Sequence, residues 1–533
     1  VTDVDEALLI ELRGLTTRRG VTRYQALADG IAAAIAAGRL AVDDRLPAER
    51  GLARSLGISR NTVVAAYDDL RARGLVHTRQ GSGTVVDRGA SPVTSPQEAT
   101  LVGLLRPRAM LHGLSDTATT GIDMRGAYWA GTQDLPSEVF QVDIRDFSDV
   151  ADGCGYWPAG LPALRESVAE HLSRDCHMPT TPEQVMITSG AQQAITLLAT
   201  AVIEPGATAL VEEYSYAGAI EALTVARARL HGVPLTGHGV ELNALRTAVR
   251  ERNPRLVYLV ASCQNPTGSV LPVHARRRLA QMAEDWDTVV VEDTSLALTQ
   301  FRGDEPPPPI AAYAEPGGRA RLITIGSLSK IAWAGLRVGW IRAGRPESIE
   351  RLTRLRTSMD LGVSIPAQII ARNVYERIDE IAGHRRELLA ERFDHLADLM
   401  GRHLRDWSWD APRGGLNIWA HLPVGSAVEF AMVAAEHGVE VVAGSNSSPA
   451  NGGTGSIRVP YGQPPPVLDD AVERLGQAWQ QYRRHLRNRE VLELPARVMR
   501  DRARAVALAD THRRQLDDAA AAAAGVESLR PPT

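Results

Sequence analysis

Between about residue 122 and residue 485, short β-rich runs alternate with helical patterns, and this alternation restricts the fold more than any other feature of the chain. The runs fall at 184–188, 207–211, 255–261, 288–292 and 321–325, each followed by enough chain for a helix. Parallel strands need such crossovers, whereas antiparallel strands close with tight turns. The pattern therefore predicts a mostly parallel α/β sheet. Past about Glu350 long helices take over, and a smaller α+β segment follows at about 416–459. At 533 residues more than one domain is expected.

Residues 22–86 carry a different pattern. A helix over about 24–37 places Leu27, Ile31 and Ile35 on one face and stops at Gly38. A second helix covers about 48–56, Gly57-Ile-Ser59 turns the chain, and a third helix runs over 60–73 between Ser59 as N-cap and Gly74. Strands at 75–79 and 84–86 flank a tight hairpin, Gln80-Gly81-Ser82-Gly83. Two helices joined by a glycine turn and followed by a hairpin make a winged helix-turn-helix. Residues 87–121, rich in Ser, Thr, Pro and Gly, read as a linker with a short helix near 101–105. Residues 486–533 read as a C-terminal extension with an Arg/Glu-rich helix and an alanine run at 519–524, and no role is assigned to it.

A recognition helix needs side chains at its N-terminal end that reach base edges and phosphates. Ser59, Arg60, Asn61 and Thr62 occupy that end, with no carboxylate before Asp68. Arg60 is suited to a bidentate guanine contact, and Ser59 and Thr62 to phosphate. Arg50 is a further positioning contact, and Gln80 and Gly81 of the wing can enter a minor groove. The bland reading of the same residues is a capped helix with a solvated face. The overall charge of −4 neither demands nor excludes a nucleic-acid partner.

The acidic start of the chain has no apolar core of a leader, and no stretch approaches the ~20 apolar residues of a membrane span. Cys154, Cys176 and Cys263 lack metal or redox spacing, so no metal site is expected. They read as reduced, partly buried thiols of a cytoplasmic protein.

Lys330 is the single lysine among 59 lysines and arginines. A coding preference for arginine explains the scarcity of lysine but not the survival of one. Guanidinium stays charged at any physiological pH, so arginine cannot replace lysine where a neutral primary amine must act as nucleophile. Lys330 ends Gly326-Ser-Leu-Ser-Lys330 and precedes Gly335-Leu-Arg337-Val-Gly339. A lysine that forms a Schiff base with a carbonyl cofactor is the natural reading. Other segments suit an aldehyde-bearing pyridine phosphate. The strand-to-helix turn with Ser189, Gly190, Ala191 and Gln192 offers backbone N–H groups for a phosphate, with Ser327 and Arg337 as further contacts. Asp293, just past an apolar strand, can hold the proton of a pyridine nitrogen. Asn265 can bond the ring's phenolic oxygen, and Tyr216 (or Tyr214) can stack on the ring.

These motifs together resemble a known family. Gly155-Tyr-Trp-Pro-Ala-Gly160, Thr188-Ser-Gly-Ala-Gln-Gln193, Gln264-Asn-Pro-Thr-Gly268, Val291-Glu-Asp293, Ser327-Leu-Ser-Lys330, Gly335-Leu-Arg337 and Ser456-Ile-Arg458 resemble the fold-type I, class I/II aminotransferase domain over about 122–485. The resemblance implies pyridoxal 5′-phosphate as cofactor, with Lys330 as the Schiff-base lysine, Asp293 on the pyridine nitrogen, Asn265 on the phenolic oxygen and Arg337 on the phosphate. Arg458 becomes the arginine for an α-carboxylate. Two positions depart from the family: Ser295 stands where relatives carry a tyrosine, and Glu213-Tyr214-Ser-Tyr216 lacks the usual proline.

The N-terminal unit resembles the GntR winged helix through Arg45-Leu-Pro-Ala-Glu-Arg50, Leu56-Gly-Ile-Ser-Arg-Asn-Thr62, Ala66-Tyr67 and Arg79-Gln-Gly-Ser-Gly83, with Val64 where some relatives have an arginine. The two together are similar to the MocR/GabR subfamily of transcription regulators. That implies a domain plan of 1–86 (DNA reader), 87–121 (linker), 122–485 (large domain with a small C-terminal α+β subdomain) and 486–533 (extension). It also implies promoter DNA as partner, a homodimer, and a large domain that senses pyridoxal phosphate or an amine or amino-acid effector instead of turning over substrate. Two other readings stay open: a working aminotransferase with an accessory DNA-binding module, and a cofactor-free repressor that uses the large domain to dimerise.

Overall fold

The computed structural model describes residues 23–36, 40, 44–72, 75–79, 83–86, 121–129, 131–150, 154–303, 305–315, 321–450 and 452–487. The helix stops at Gly38 and Gly74, the wing residues Gln80 and Gly81, the helix near 101–105 and the alanine run at 519–524 lie outside them. The chain divides into two compact units between residues 109 and 110.

In the first unit, α1 (Arg23–Ala36), α2 (Glu49–Leu56) and α3 (Arg60–Ala72) precede β1 (Val76–Arg79) and β2 (Gly83–Val86). Leu27, Ile31 and Ile35 of α1 are buried, as the spacing predicts, against Leu52, Leu56, Val63, Tyr67 and Leu70. Gly57 ends α2 at φ 69°, a left-handed conformation that a side chain disfavours by roughly 1 kcal/mol. Ser59 caps α3 by accepting from Thr62 N at 3.1 Å. β1 and β2 pair antiparallel, and residues 44–46 extend the ribbon, with Leu46 N donating to Thr84 O and Val86 N to Asp44 O, both at 2.9 Å.

The second unit is built on a seven-stranded sheet, β3 (Val185–Thr188), β4 (Thr208–Glu212), β5 (Arg229–Val233), β6 (Leu256–Leu259), β7 (Val289–Asp293), β8 (Leu322–Ser327) and β9 (Gly339–Arg342), in the order β3-β9-β8-β7-β6-β4-β5. β4 to β8 are mutually parallel. β9, a strand the sequence reading did not single out, runs antiparallel to both β8 and β3. Helix α4 (Pro162–Arg174) precedes the sheet, and the crossover helices include α5 (Ala191–Val202), α6 (Ala217–Val225), α7 (Leu242–Arg252) and α8 (Val273–Glu284). Successive strand residues feed opposite cores. Ile187, Val257 and Val290 face one, and Met186, Tyr258 and Val291 the other. Each such side chain stabilises the unit by about 1.5–3 kcal/mol when fully buried. Two covered faces explain the consecutive apolar residues of β3, β4, β6 and β7, whereas the edge strand β5 carries Arg229 and His231.

Helices α9 (Pro346–Arg356), α10 (Ile365–Glu376) and α11 (Ile378–His403) lead into a small subdomain. There β10 (Ser408–Trp409), β11 (Asn417–His421), β12 (Val442–Ala443) and β13 (Ser456–Pro460) form an antiparallel sheet in the order β10-β11-β13-β12, packed by α11 and α12 (Ala427–Glu436). Two readings need correction. Asp293 is the last residue of β7 and not the residue past it, because the strand starts and ends one residue later than the apolar run. Of the three cysteines, all free, Cys154 is exposed, Cys176 half-buried and Cys263 buried, since Cys154 sits in a bend ahead of α4 and outside both cores.

Candidate functional site

The C-terminal ends of parallel strands open onto one edge of the sheet, where α/β proteins bind ligands. Asp293 ends β7 there, and Lys330 lies in the turn just after β8. Asp293 is buried, with Oδ2 accepting from Tyr258 Oη at 2.7 Å and Oδ1 from Ser295 N at 2.8 Å. Burial raises its pKa and these bonds and Lys330 oppose that. Burial lowers the Lys330 ammonium to about 8, Arg458 and Arg337 push the same way, and Asp293 opposes them. Lys330, Asp293, Arg458 and Arg337 therefore share one electrostatic neighbourhood, and its excess of positive charge suits an anionic ligand.

The turn from β3 into α5 carries Ser189 and Gly190, and the helix begins at Ala191 and Gln192. Gly190, at φ 87°, has Arg337 Nη2 3.3 Å from where a Cβ would sit. Arg337 adopts a left-handed backbone at φ 54°, costly for a non-glycine residue, and donates to Ser189 O at 2.8 Å. Ser189 N already donates to Gln193 Oε1 at 2.6 Å, so the unbonded first-turn N–H groups at this terminus begin with α5 itself. Buried Arg356 stiffens the turn by donating to Ile187 O, to Asp360 Oδ1 at 2.7 Å and to Gln193 Oε1 at 3.3 Å. Ser327 Oγ donates to Val338 O at 3.2 Å.

Tyr214 and Tyr216 part company in the fold. Tyr214 packs on Trp419, centroids 5.4 Å apart. Tyr216 is the residue whose phenol feels Asp293, Arg458 and Arg337, and burial raises its pKa. Gly218 leaves room for that ring: a Cβ there would lie 2.6 Å from Tyr216 Cζ. Asn265 precedes a cis proline in a turn closed by Gly268 N on Gln264 O at 2.6 Å.

Sequence reasoning missed the hub beneath these two. Gln264 Nε2 donates to Glu212 Oε2 at 3.0 Å and to Tyr214 O at 2.6 Å, tying the Asn265 turn to the Tyr216 turn. Burial pushes the Glu212 carboxyl up to about 8. Tyr258 was missed too, because an aromatic in a wholly buried strand reads as core. Arg458, on β13, donates through Nη2 to Arg125 O. Asn265 Oδ1, Gln192 Oε1 and Arg458 Nε are buried and have no hydrogen-bond partner among the described residues. Buried polar atoms are seldom left so, and donors and acceptors of this kind fit a polar, phosphorylated pyridine ring.

On the first unit, Arg50, Ser59, Arg60 and Asn61 are exposed, while Thr62 is half-buried with Oγ1 2.8 Å from Ser59 Oγ. Arg60 is not free: Nε and Nη2 both donate to Glu49 Oε2, at 3.1 and 2.9 Å. The guanidinium is 55% exposed, and such surface pairs are worth only about 0.2–1 kcal/mol, so a base or phosphate can take it over. Glu49→Gln is expected to tighten DNA binding by releasing Arg60, and Arg60→Ala to weaken it by about 1–3 kcal/mol and relax sequence preference. Fluorescence anisotropy on promoter fragments checks both, and equal affinities for the two variants would remove α3 as the reader.

No helix among the described residues is long and apolar enough to cross a membrane, and no cluster of His, Cys, Asp or Glu among them can hold a metal ion. Comparison with known proteins matches residues 132–475 to the aminotransferase class I and II family and residues 23–86 to the bacterial regulatory proteins of the gntR family. The chain is 30% identical over 409 residues to the uncharacterized HTH-type transcriptional regulator YisV of Bacillus subtilis, covering 73% of this chain and 82% of that one. It is 31% identical over 401 residues to the probable rhizopine catabolism regulatory protein MocR of Rhizobium meliloti, covering 73% and 79%. Among solved structures, LysN, the α-aminoadipate aminotransferase of Thermus thermophilus complexed with N-(5′-phosphopyridoxyl)-L-leucine, superposes with a TM-score of 0.65 at 29% identity, over 73% of this chain and 99% of that one. With a gntR-type winged helix ahead of a fold-type I aminotransferase domain, the chain belongs to the MocR-type transcription regulators.

Proposed function

We propose that this regulator binds pyridoxal 5′-phosphate at Lys330 and uses that site, with an amine or amino-acid effector, to control promoter binding. The observation that carries the reading is the gathering of the chain's only lysine, with its lowered pKa, beside buried Asp293 and the arginines Arg458 and Arg337. The cofactor supplies an aldehyde carbon open to amines and a ring that withdraws electrons. Lys330 Nζ holds that carbon, Asp293 keeps a proton on the ring nitrogen, Asn265 donates to the phenolic oxygen, and Tyr216 lies on the ring. Ser327, Arg337 and the turn of Ser189, Gly190, Ala191 and Gln192 hold the phosphate. Arg458 takes the carboxylate of the effector. Arg50, Ser59, Arg60, Asn61 and Thr62, with Gln80 and Gly81 of the wing, contact DNA.

The working division is 1–86 for the reader, 87–121 for the linker, 122–485 for the sensor and 486–533 for the extension. The sensor pairs two copies of the chain. Exposed Ile144, Tyr156, Trp333, Met359 and Leu361 supply apolar surface for that contact. Promoter DNA as the partner places the protein in the cytoplasm.

Asp293→Ala is expected to weaken cofactor retention and shift its absorption, because the ring nitrogen loses a charge-assisted hydrogen bond. Arg458→Ala is expected to spare cofactor binding and to abolish the response to carboxylate-bearing effectors. Spectral titration of both variants tests the assignment, and indistinguishable defects would refute it. A working aminotransferase is the second reading, favoured by the likeness to LysN, and sustained release of a keto acid from an amino donor would establish it.

A further inference from the structure

Residues 121–129 cross the candidate site as a strap. Ile122 and Asp123 pair in parallel with Val439 and Glu440 of the small subdomain. Ile122 N donates to Gly438 O at 2.8 Å and Met124 N to Glu440 O at 2.9 Å. The Arg125 guanidinium adds ion pairs to Asp123 at 2.9 Å and Glu440 at 2.5 Å. At the other end Trp129 is buried, with Arg385 3.9 Å above its ring, and its Nε1 donates to Lys330 O at 2.8 Å.

Between these anchors, two backbone carbonyls of the strap meet two of the three cations of the site. Ala127 O accepts from Lys330 Nζ at 2.7 Å, and Arg125 O accepts from Arg458 Nη2. Gly126 separates them, where a Cβ would lie 1.7 Å from Tyr128 Cε1, so the carbonyl spacing depends on a residue without a side chain. Only residues 87–120 separate the strap from β2 of the DNA reader.

We propose that this strap reports occupancy of the site to the linker, because its carbonyls compete with the ligand for Lys330 and Arg458. The proposal rests on the function proposed above. A ligand carboxylate brings Arg458 a full negative charge and two oxygens for a bidentate contact, neither of which a single backbone carbonyl offers. When Lys330 Nζ joins an aldehyde carbon, a C=N bond forms, water leaves, and at most one N–H remains on the nitrogen. Either event weakens the hydrogen bond to a strap carbonyl, and a half-buried carbonyl that loses its donor costs free energy. The strap relieves that cost by shifting, and the pairing of Ile122 and Met124 with the small subdomain is what the shift loosens.

Hydrogen–deuterium exchange of the full-length protein, with and without pyridoxal 5′-phosphate, tests this. Exchange at the Ile122 and Met124 amides is expected to accelerate about 5-fold or more on loading, as typical coupling energies allow. Trp129→Phe keeps the ring under Arg385 but loses the bond to Lys330 O. It is expected to take up cofactor, to exchange fast at these amides even before loading, and to gain little on loading. Cofactor uptake by the wild-type protein with unchanged exchange over 121–129 overturns the strap and leaves the proposed function standing. Protein that takes up no pyridoxal 5′-phosphate overturns both.

Discussion

Borohydride treatment of the protein loaded with pyridoxal 5′-phosphate is expected to leave a phosphopyridoxyl group on the peptide that contains Lys330, and Lys330→Ala is expected to lose it completely. The effect is all-or-none because the chain has no other lysine. The local environment also prepares this amine. Burial, with Arg458 and Arg337, lowers its pKa to about 8. At neutral pH roughly one amine in ten is then unprotonated, against roughly one in three thousand at the ordinary lysine value, a gain of about 300-fold in reactive form. The sign follows: the neutral amine is the nucleophile, so the initial rate of uptake rises as pH approaches 8 and levels off above it. Lys330→Arg keeps a positive charge and is expected to behave as Lys330→Ala does. Mass spectrometry of tryptic peptides reads the adduct, and an adduct retained by either variant would move the chemistry away from this residue.

Glu292→Ala is expected to cost about 3–5 kcal/mol of stability, the usual penalty for leaving one member of a buried ion pair without its partner. Arg276 and Glu292 are both buried, 2.9 Å apart. Arg276 also donates to Leu271 O at 2.8 Å, Ala261 O at 2.7 Å and Ser262 Oγ at 2.8 Å, so it clamps both ends of the loop that carries Asn265. Glu292 Oε2 in turn accepts from Ile310 N at 2.6 Å. The variant is therefore expected to unfold at lower denaturant and to bind cofactor poorly even where it remains folded. Urea denaturation followed by circular dichroism, with cofactor titration below the transition, measures both. A midpoint unchanged within error would show that the loop holds itself.

The winged helix and the parallel strands were legible because both rest on local rules. Leu27, Ile31 and Ile35 mark a helix face, Gly57 permits a left-handed turn, and apolar strand runs alternate with crossover lengths. The residues around Lys330 were legible because the chemistry demands particular side chains in a particular order. What escaped lacks such a signature. The carbonyls of Arg125 and Ala127 are main-chain groups, which every residue offers. Tyr258 and Glu212 lie in strands whose burial makes them look structural, and only the fold reveals the bonds to Asp293 and Gln264. The grip of Glu49 on Arg60 spans a turn between two helices and follows no fixed spacing.

The solitary lysine also makes the protein its own spectroscopic instrument. Feeding lysine labelled with heavy nitrogen introduces a single side-chain amine signal into a 57.6 kDa protein, with no assignment problem. Because Nζ lies 2.7 Å from Ala127 O, that one resonance senses protonation, ligand capture and strap contact at the same atom. Reagents that acylate amines likewise find one side-chain target, half-buried beneath the strap, so protection of that amine on ligand addition reads occupancy of the site directly.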